Sequence, residues 1–212
     1  MICIIAKKMR KTGKRIKSGL IEKKNTILVW GKRVKILNQN INTDKLEILK
    51  KVRGAGINTP KIYERFEDID KFPVVGRNRK HFGGKDFVLI KSPDEYVKRD
   101  YYLEYIPKIG EYRIHYCLGH YYPCKKVKKH PKANPIIRNH RNGWKFVSYE
   151  GKYKNMLIEF AKKVIDVVKY DFGAIDCIMD KKHKLYFLEI NSAPGLDNKR
   201  LDWYLEILRK EV

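Results

Sequence analysis

An α+β fold is what the sequence predicts, on three observations. Strand-like runs alternate with only a few helical ones. The 212 residues contain no internal repeat and no low-complexity linker, which suits one medium domain or two small interlocked lobes. Apolar residues make up 43%, with 14 Tyr among the aromatics, so there is material for a packed core and global disorder is excluded.

The elements follow in order. Residues 26–37 (TILVWGKRVKIL) read as two short strands around Gly31 and Lys32. Asp44 to Arg53 reads as a helix with Leu46, Leu49 and Val52 on its inner face and Asn42 or Thr43 as N-cap. Gly54 and Gly56 can end it, and Thr59-Pro60 begins an extended segment. Phe72-Pro73-Val74-Val75 reads as a buried strand leading to Arg77, followed by the loop His81-Phe82-Gly83-Gly84-Lys85 and a strand at Phe87–Ile90. Tyr101–Ile106 and Tyr112–Leu118 read as further strands. Asn155–Lys169 is the clearest helix, with Met156, Leu157, Phe160, Ala161, Val164, Ile165 and Val168 on the core side. Strands at Gly173–Met179 and Lys184–Asn191 flank a polar turn, Asp180-Lys181-Lys182-His183. A last helix begins near Asp197 or Asn198 and buries Leu201, Tyr204, Leu205 and Leu208.

Charge narrows the partners. Lys and Arg number 48 against 24 Asp and Glu, a formal net charge of +24. Such a surplus favours a polyanionic partner, unless it only reflects a Lys-rich composition. The first 24 residues hold nine Lys or Arg and one acid. Between Glu111 and Glu150 there is no Asp or Glu, while nine Lys or Arg and four His occur. That distribution suggests a positive surface facing an anion. No run of 18 apolar residues exists, which excludes a membrane-spanning helix. Met1–Ile5 is too short for a signal-peptide core, so the expected location is cytoplasmic. The four cysteines are irregularly spaced, and a disulfide framework is not expected.

Two motifs carry chemistry. If the last hairpin turns at Lys181–Lys184, Asp176 lies opposite Glu189, and Asn191 shares their face. Facing carboxylates repel unless a cation lies between them. Three oxygen ligands on one face suit Mg²⁺, which keeps waters and shares phosphate oxygens. The alternative is an exposed polar face whose acids pair with lysines. The second motif is Gly83-Gly84-Lys85, a donor-rich turn able to close over phosphates or to serve as a plain hairpin turn. His115, Cys117, His120 and Cys124 lack the tight spacing of a zinc site and read better as buried cysteines and ordinary sheet histidines.

Together these motifs resemble the ATP-grasp superfamily. DFGAIDCIMDKKHKLYFLEINSAPGL at 171–196 is similar to its closing metal hairpin, FPVVGR at 72–77 to its phosphate-binding strand, and HFGGKD to its glycine loop. YLEYIPKIGEYRIHYCLG at 102–119 resembles the adenine hinge and ribose-binding strands. ILVWGKR, LNQN and GINTP look like small phage-type members, similar to the glutathione synthetase and ribosomal-protein glutamate ligase branch. The resemblance implies two α+β subdomains gripping ATP, a small lobe near 41–110 and a large lobe near 111–212. A basic region at 1–40 would be a reduced form of the usual N-terminal part, with substrate recognition left to a partner, a dimer mate or the basic surface.

The resemblance also implies roles. Asp176, Glu189 and Asn191 would hold one or two Mg²⁺ ions, with Mn²⁺ as a substitute. Arg77, where many members have Lys, and Lys45 would contact ATP phosphates beneath the Gly83, Gly84, Lys85 loop. Glu104 and Ile106 would border the adenine, and Glu111 would take the ribose hydroxyls. Arg113, Arg138 and Lys126 or Lys128 would face the γ-phosphate or the acyl substrate, with Asn139 and Trp144 lining an acceptor pocket. The implied activity is an ATP-dependent carboxylate–amine ligase acting through an acylphosphate. Its partners would be ATP, an unidentified carboxylate and amine, and an acidic peptide, a protein tail or nucleic acid on the basic surface. The rival readings are a nucleic-acid-binding protein on the same scaffold and an ATP-dependent kinase.

Overall fold

The computed structural model describes residues 2–3, 35–38, 40–79, 87–136, 138 and 142–210. The strands expected before residue 35, residues 4–34 of the basic N-terminal region, Gly83, Gly84, Lys85 and Asn139 lie outside the described residues. In chain order the elements are β1 (Ile2–Cys3), β2 (Lys35–Ile36), α1 (Lys45–Gly54), β3 (Ile62–Tyr63), β4 (Val74–Arg77), β5 (Val88–Ile90) and β6 (Tyr101–Glu104). There follow β7 (Gly110–Cys117), β8 (His120–Lys128), β9 (Trp144–Ser148), α2 (Lys154–Val168), β10 (Phe172–Met179), β11 (Leu185–Asn191) and α3 (Asn198–Lys210).

Two antiparallel sheets dominate. The larger has the order β11-β10-β7-β8-β9, and the smaller β3-β6-β4-β5. One face of the large sheet packs on α1 and α2. There Leu46, Leu49 and Val52 of α1 and Leu157, Ala161 and Val164 of α2 meet Ile175, Cys177 and Phe187. Burial of these side chains supplies the main driving force, about 25 cal/mol per Å² of apolar area removed from water. The other face is half covered: Tyr204, Leu205 and Leu208 of α3 pack against Cys117. The rest of that face carries the polar residues of β7, β8, β10 and β11. The small sheet seals its outer face with Tyr63, Val74, Ile90 and Tyr102 packed on Phe66 and Phe72. Its inner face presents Val75, Arg77, Tyr101 and Leu103 to the large sheet.

Several details depart from expectation. The N-cap of α1 is Asp44, neither Asn42 nor Thr43. The Asp44 carboxylate accepts from the Leu46 and Glu47 amides at 3.0 and 3.1 Å, while the Asn42 side chain accepts from the Asp44 amide. Although α1 precedes the small sheet in sequence, it packs on the large one. Met156 is 37% exposed, because the buried stripe of α2 runs through Leu157, Ala161, Val164, Ile165 and Val168 and this position lies in the first turn beside it. His120 and Cys124 lie in β8 as expected of sheet residues, but β8 runs on to Lys128 and β9 was not expected, since their lysines and Pro123 break the apolar alternation that marks a strand. Cys117, Cys124 and Cys177 carry free, buried thiols.

Candidate active site

A cavity of about 340 Å³ lies between the two sheets. Its wall divides by chemistry. Pro60, Val75, Phe87, Leu103, Tyr105, Ile106, Ile178 and Leu188 make one part apolar. Arg77, Lys108, Arg113, Lys126 and Arg138 make the other strongly cationic, facing Glu111, Asp176 and Glu189.

The carboxylate hairpin has the expected opposition by an unexpected route. Asp176 pairs with Glu189 across β10 and β11, but Cys177 pairs with Phe187, which leaves Leu188 as a bulge. A regular pleat would send Leu188 and Glu189 to opposite faces. The bulge lets both line the cavity. Asn191 turns its amide nitrogen toward Asp176 at 3.4 Å and Glu189 at 3.2 Å. Each acid also has a cation. Arg113 grips Asp176 with two bonds of 2.7 Å, and Lys45, the first residue of α1, reaches Glu189. Two acids and, with the Asn191 amide turned over, an amide oxygen would be a donor set that fits a hard divalent cation.

Glu111 is held more tightly than expected for a ribose ligand. Lys108 donates to one of its oxygens at 2.7 Å and Lys126 to the other. Burial works to raise the Glu111 carboxyl, but the attraction of Lys126 and Lys108 outweighs it and holds the group below the usual glutamate range. Burial lowers the Lys108 ammonium against the pull of Glu111. Lys108 lies in the loop between β6 and β7, and sequence reasoning missed it. Its only signal was a Lys three residues before an acid.

The remaining expected residues fall as follows. Arg77, Glu104, Ile106, Arg113, Lys126 and Arg138 line the cavity together with Asp176, Glu189 and Asn191. Lys128 is exposed beyond it. Arg113 and Lys126 both lie over the Phe146 ring, at 4.4 and 4.9 Å, and Arg138 stacks on Trp144 at 4.6 Å. Trp144 spends its indole N–H on the Asn134 carbonyl. The histidine–cysteine set does not gather: His115 contacts Tyr204, and Cys124 contacts Arg200. Among the described residues no three His, Cys, Asp or Glu side chains form a metal cluster. His115 is fully buried, and burial, followed by the charges of Arg113 and Arg200, pushes its imidazole well below its ordinary value. Among the described residues no helix is long and apolar enough to cross a membrane.

Comparison with known proteins fixes the architecture. No family model matches the chain. D-alanine–D-alanine ligase of Bacillus anthracis superposes with a TM-score of 0.63 at 12% identity, over 99% of this chain and 98% of that one. The ATP-grasp ligase PsnB, solved with Mg and ADP, superposes at 0.64 and 12% identity, over 84% of this chain and 62% of that one. The fold is the ATP-grasp fold. By sequence, D-alanine–D-alanine ligase of Fusobacterium nucleatum is 25% identical over 183 residues, 78% of this chain and 61% of that protein. The uncharacterised protein MG011 of Mycoplasma genitalium is 29% identical over 166 residues, 73% of this chain and 56% of that protein. The chain thus spans less than two thirds of either curated relative. In this ATP-grasp fold the cavity lies between the two sheets, with the carboxylate hairpin on its large-sheet side.

Proposed function

We propose that the protein is an ATP-dependent carboxylate–amine ligase with Mg·ATP bound between the sheets. The observation that carries this reading is the two-part cavity: an apolar slot continuous with a polar end that combines facing carboxylates with five cations. An adenine suits the slot formed by Ile106, Ile178 and Leu188. A polyphosphate suits Arg77, Arg113, Lys126 and Arg138. Asp176, Glu189 and Asn191 would hold Mg²⁺, which when bound neutralises phosphate charge.

The reaction needs no covalent enzyme nucleophile. A substrate carboxylate oxygen attacks the γ-phosphorus, the bond to the β-phosphate oxygen breaks, and ADP leaves. The amine nitrogen then attacks the acyl carbon of the acylphosphate, the carbon–oxygen bond to phosphate breaks, and the amine gives up a proton. Catalysis consists of positioning and charge neutralisation. Arg113, fixed by Asp176 and Phe146, would hold a γ-phosphate oxygen or the incoming carboxylate. Lys126, fixed by Glu111, would do the same from β8. Glu111 here is a positioning group, since both its oxygens are engaged. The relatives' ligase names support this reading, whereas a nucleic-acid-binding reading draws on charge alone.

The test is a carboxylate screen with Mg·ATP and hydroxylamine as a surrogate amine. Hydroxamate and ADP formed together, and lost in Arg113→Met, are the expected result. A stable phosphorylated product without hydroxamate would make the protein a kinase instead.

A further inference from the structure

Strand β9 lies outside the lining of the cavity. Strand β9 ends the large sheet, and among the described residues no strand pairs with its far side. Its register with β8 pairs Lys128 with Trp144, Lys126 with Phe146 and Cys124 with Ser148. The Lys129 amide donates to Gly143 and the Tyr149 amide to Pro123, so the hydrogen-bonded pairs fall on the odd-numbered residues of β9. Antiparallel alternation then directs the backbone groups of Trp144, Phe146 and Ser148 outward. Those three residues also belong to the cavity-side face: Phe146 lies under Arg113 and Lys126, and Trp144 lies under Arg138.

The chemistry around this edge has one sign. Strands β8 and β9 and the loop joining them fall within the stretch that has no Asp or Glu from residue 112 to 149. Lys128 and Lys145 are exposed beside the edge. An open strand edge is a template for main-chain pairing, and a basic surround selects what can pair there. Two features therefore coincide: backbone donors and acceptors that recognise a peptide, and cations that recognise acid.

We propose that an acidic polypeptide segment docks as an added strand on the outer edge of β9, bringing one of its carboxylates to Arg138 at the cavity rim. The purpose given to this segment, delivery of the carboxylate to be activated, rests on the ligase reading; the docking does not. Main-chain bonds to Trp144, Phe146 and Ser148 set its register, and Lys128 and Lys145 supply its charge preference.

The probe is a fluorescein-labelled Glu-rich decapeptide, read by anisotropy at low and high salt. Three controls accompany it: the same peptide N-methylated at alternate residues, its Gln counterpart, and a single-stranded oligonucleotide of equal charge. The Glu peptide is expected to bind, to weaken as salt rises, and to lose at least about tenfold in affinity on N-methylation or in Lys128→Glu/Lys145→Glu. Equal binding of the N-methylated peptide, unchanged binding by the double variant, or tighter binding of the oligonucleotide would overturn the proposal. Binding of a Mg·ATP analogue is measured in parallel and is expected to survive the double variant. If the nucleotide binds and the peptide does not, the docking fails and the ligase reading stands. If the peptide binds and the nucleotide does not, the ligase reading fails and the docking stands.

Discussion

Neutralising Glu111 is the most informative single change to the polar wall. Its side chain is 9% exposed, and the flanking Lys108 and Lys126 side chains are 14% and 10% exposed. With the carboxylate present, three buried charges sum to +1. Glu111→Gln leaves two buried ammonium groups facing a neutral amide, a net charge of +2 with little water to screen it. Removing one partner of a buried ion pair costs roughly 3–5 kcal/mol, mostly the penalty of the stranded charge. In a chain of this size each kcal/mol is worth about 2–4 °C, so the melting temperature should fall by roughly 6–20 °C. Differential scanning calorimetry at neutral pH and moderate salt reads the change. Because the cost lies in the stranded lysines, adding Lys108→Met to Glu111→Gln should restore part of the loss. A melting temperature within about 2 °C of wild type for Glu111→Gln would refute this reasoning, as would a double variant less stable than the single one.

Three further outcomes follow from other contacts. Tyr204 donates its hydroxyl proton to the Gly173 carbonyl at 2.7 Å, so the His115 Nδ1–H must donate to Tyr204, and burial keeps His115 neutral in the fold because a proton on Nε2 would meet no acceptor. The unfolded chain binds a proton at this residue below a pH of about 6.5, so stability drops with falling pH by up to about 1.4 kcal/mol per unit from His115 alone. Urea melts between pH 7 and 5 should show a shallower loss in His115→Gln, and parallel losses would contradict this. A Cβ on Gly173 would come within 2.8 Å of the Asn191 carbonyl oxygen, so Gly173→Ala should push β11 outward, cost about 1–3 kcal/mol and weaken Mg·nucleotide binding. Unchanged stability and affinity would show that the hairpin yields freely. Lys45 pairs with Glu189, so Lys45→Met should tighten Mn²⁺ binding to protein prepared without nucleotide, read by electron paramagnetic resonance, while weakening ATP-analogue binding. Both affinities moving the same way would contradict an exchange of Lys45 between carboxylate and phosphate.

The carboxylate opposition in the last hairpin was legible in the sequence because its signal is local. Alternation within β10 and β11 placed Asp176, Glu189 and Asn191 on one face, and the structure has that opposition. The bulge at Leu188 was not legible, because a one-residue register change alters no residue's propensity. The Lys45–Glu189 and Arg113–Asp176 pairs join residues 144 and 63 positions apart, and no window of sequence contains both partners. Lys108 went unnoticed because it belongs to no periodic element. The second half of β8 and all of β9 were hidden by the lysines that give them their surface chemistry. Local pattern thus marked the acids, while tertiary pairing decided which cations hold them.

The central claim is a nucleotide–metal site between the two sheets. Isothermal titration calorimetry with a non-hydrolysable ATP analogue, with and without Mg²⁺, on wild type and Glu189→Ala, tests it most directly. The account expects micromolar, Mg²⁺-dependent binding to wild type that weakens at least about tenfold in the variant, a loss of roughly 1.4 kcal/mol. No binding to wild type, or equal affinity for both proteins, would contradict it.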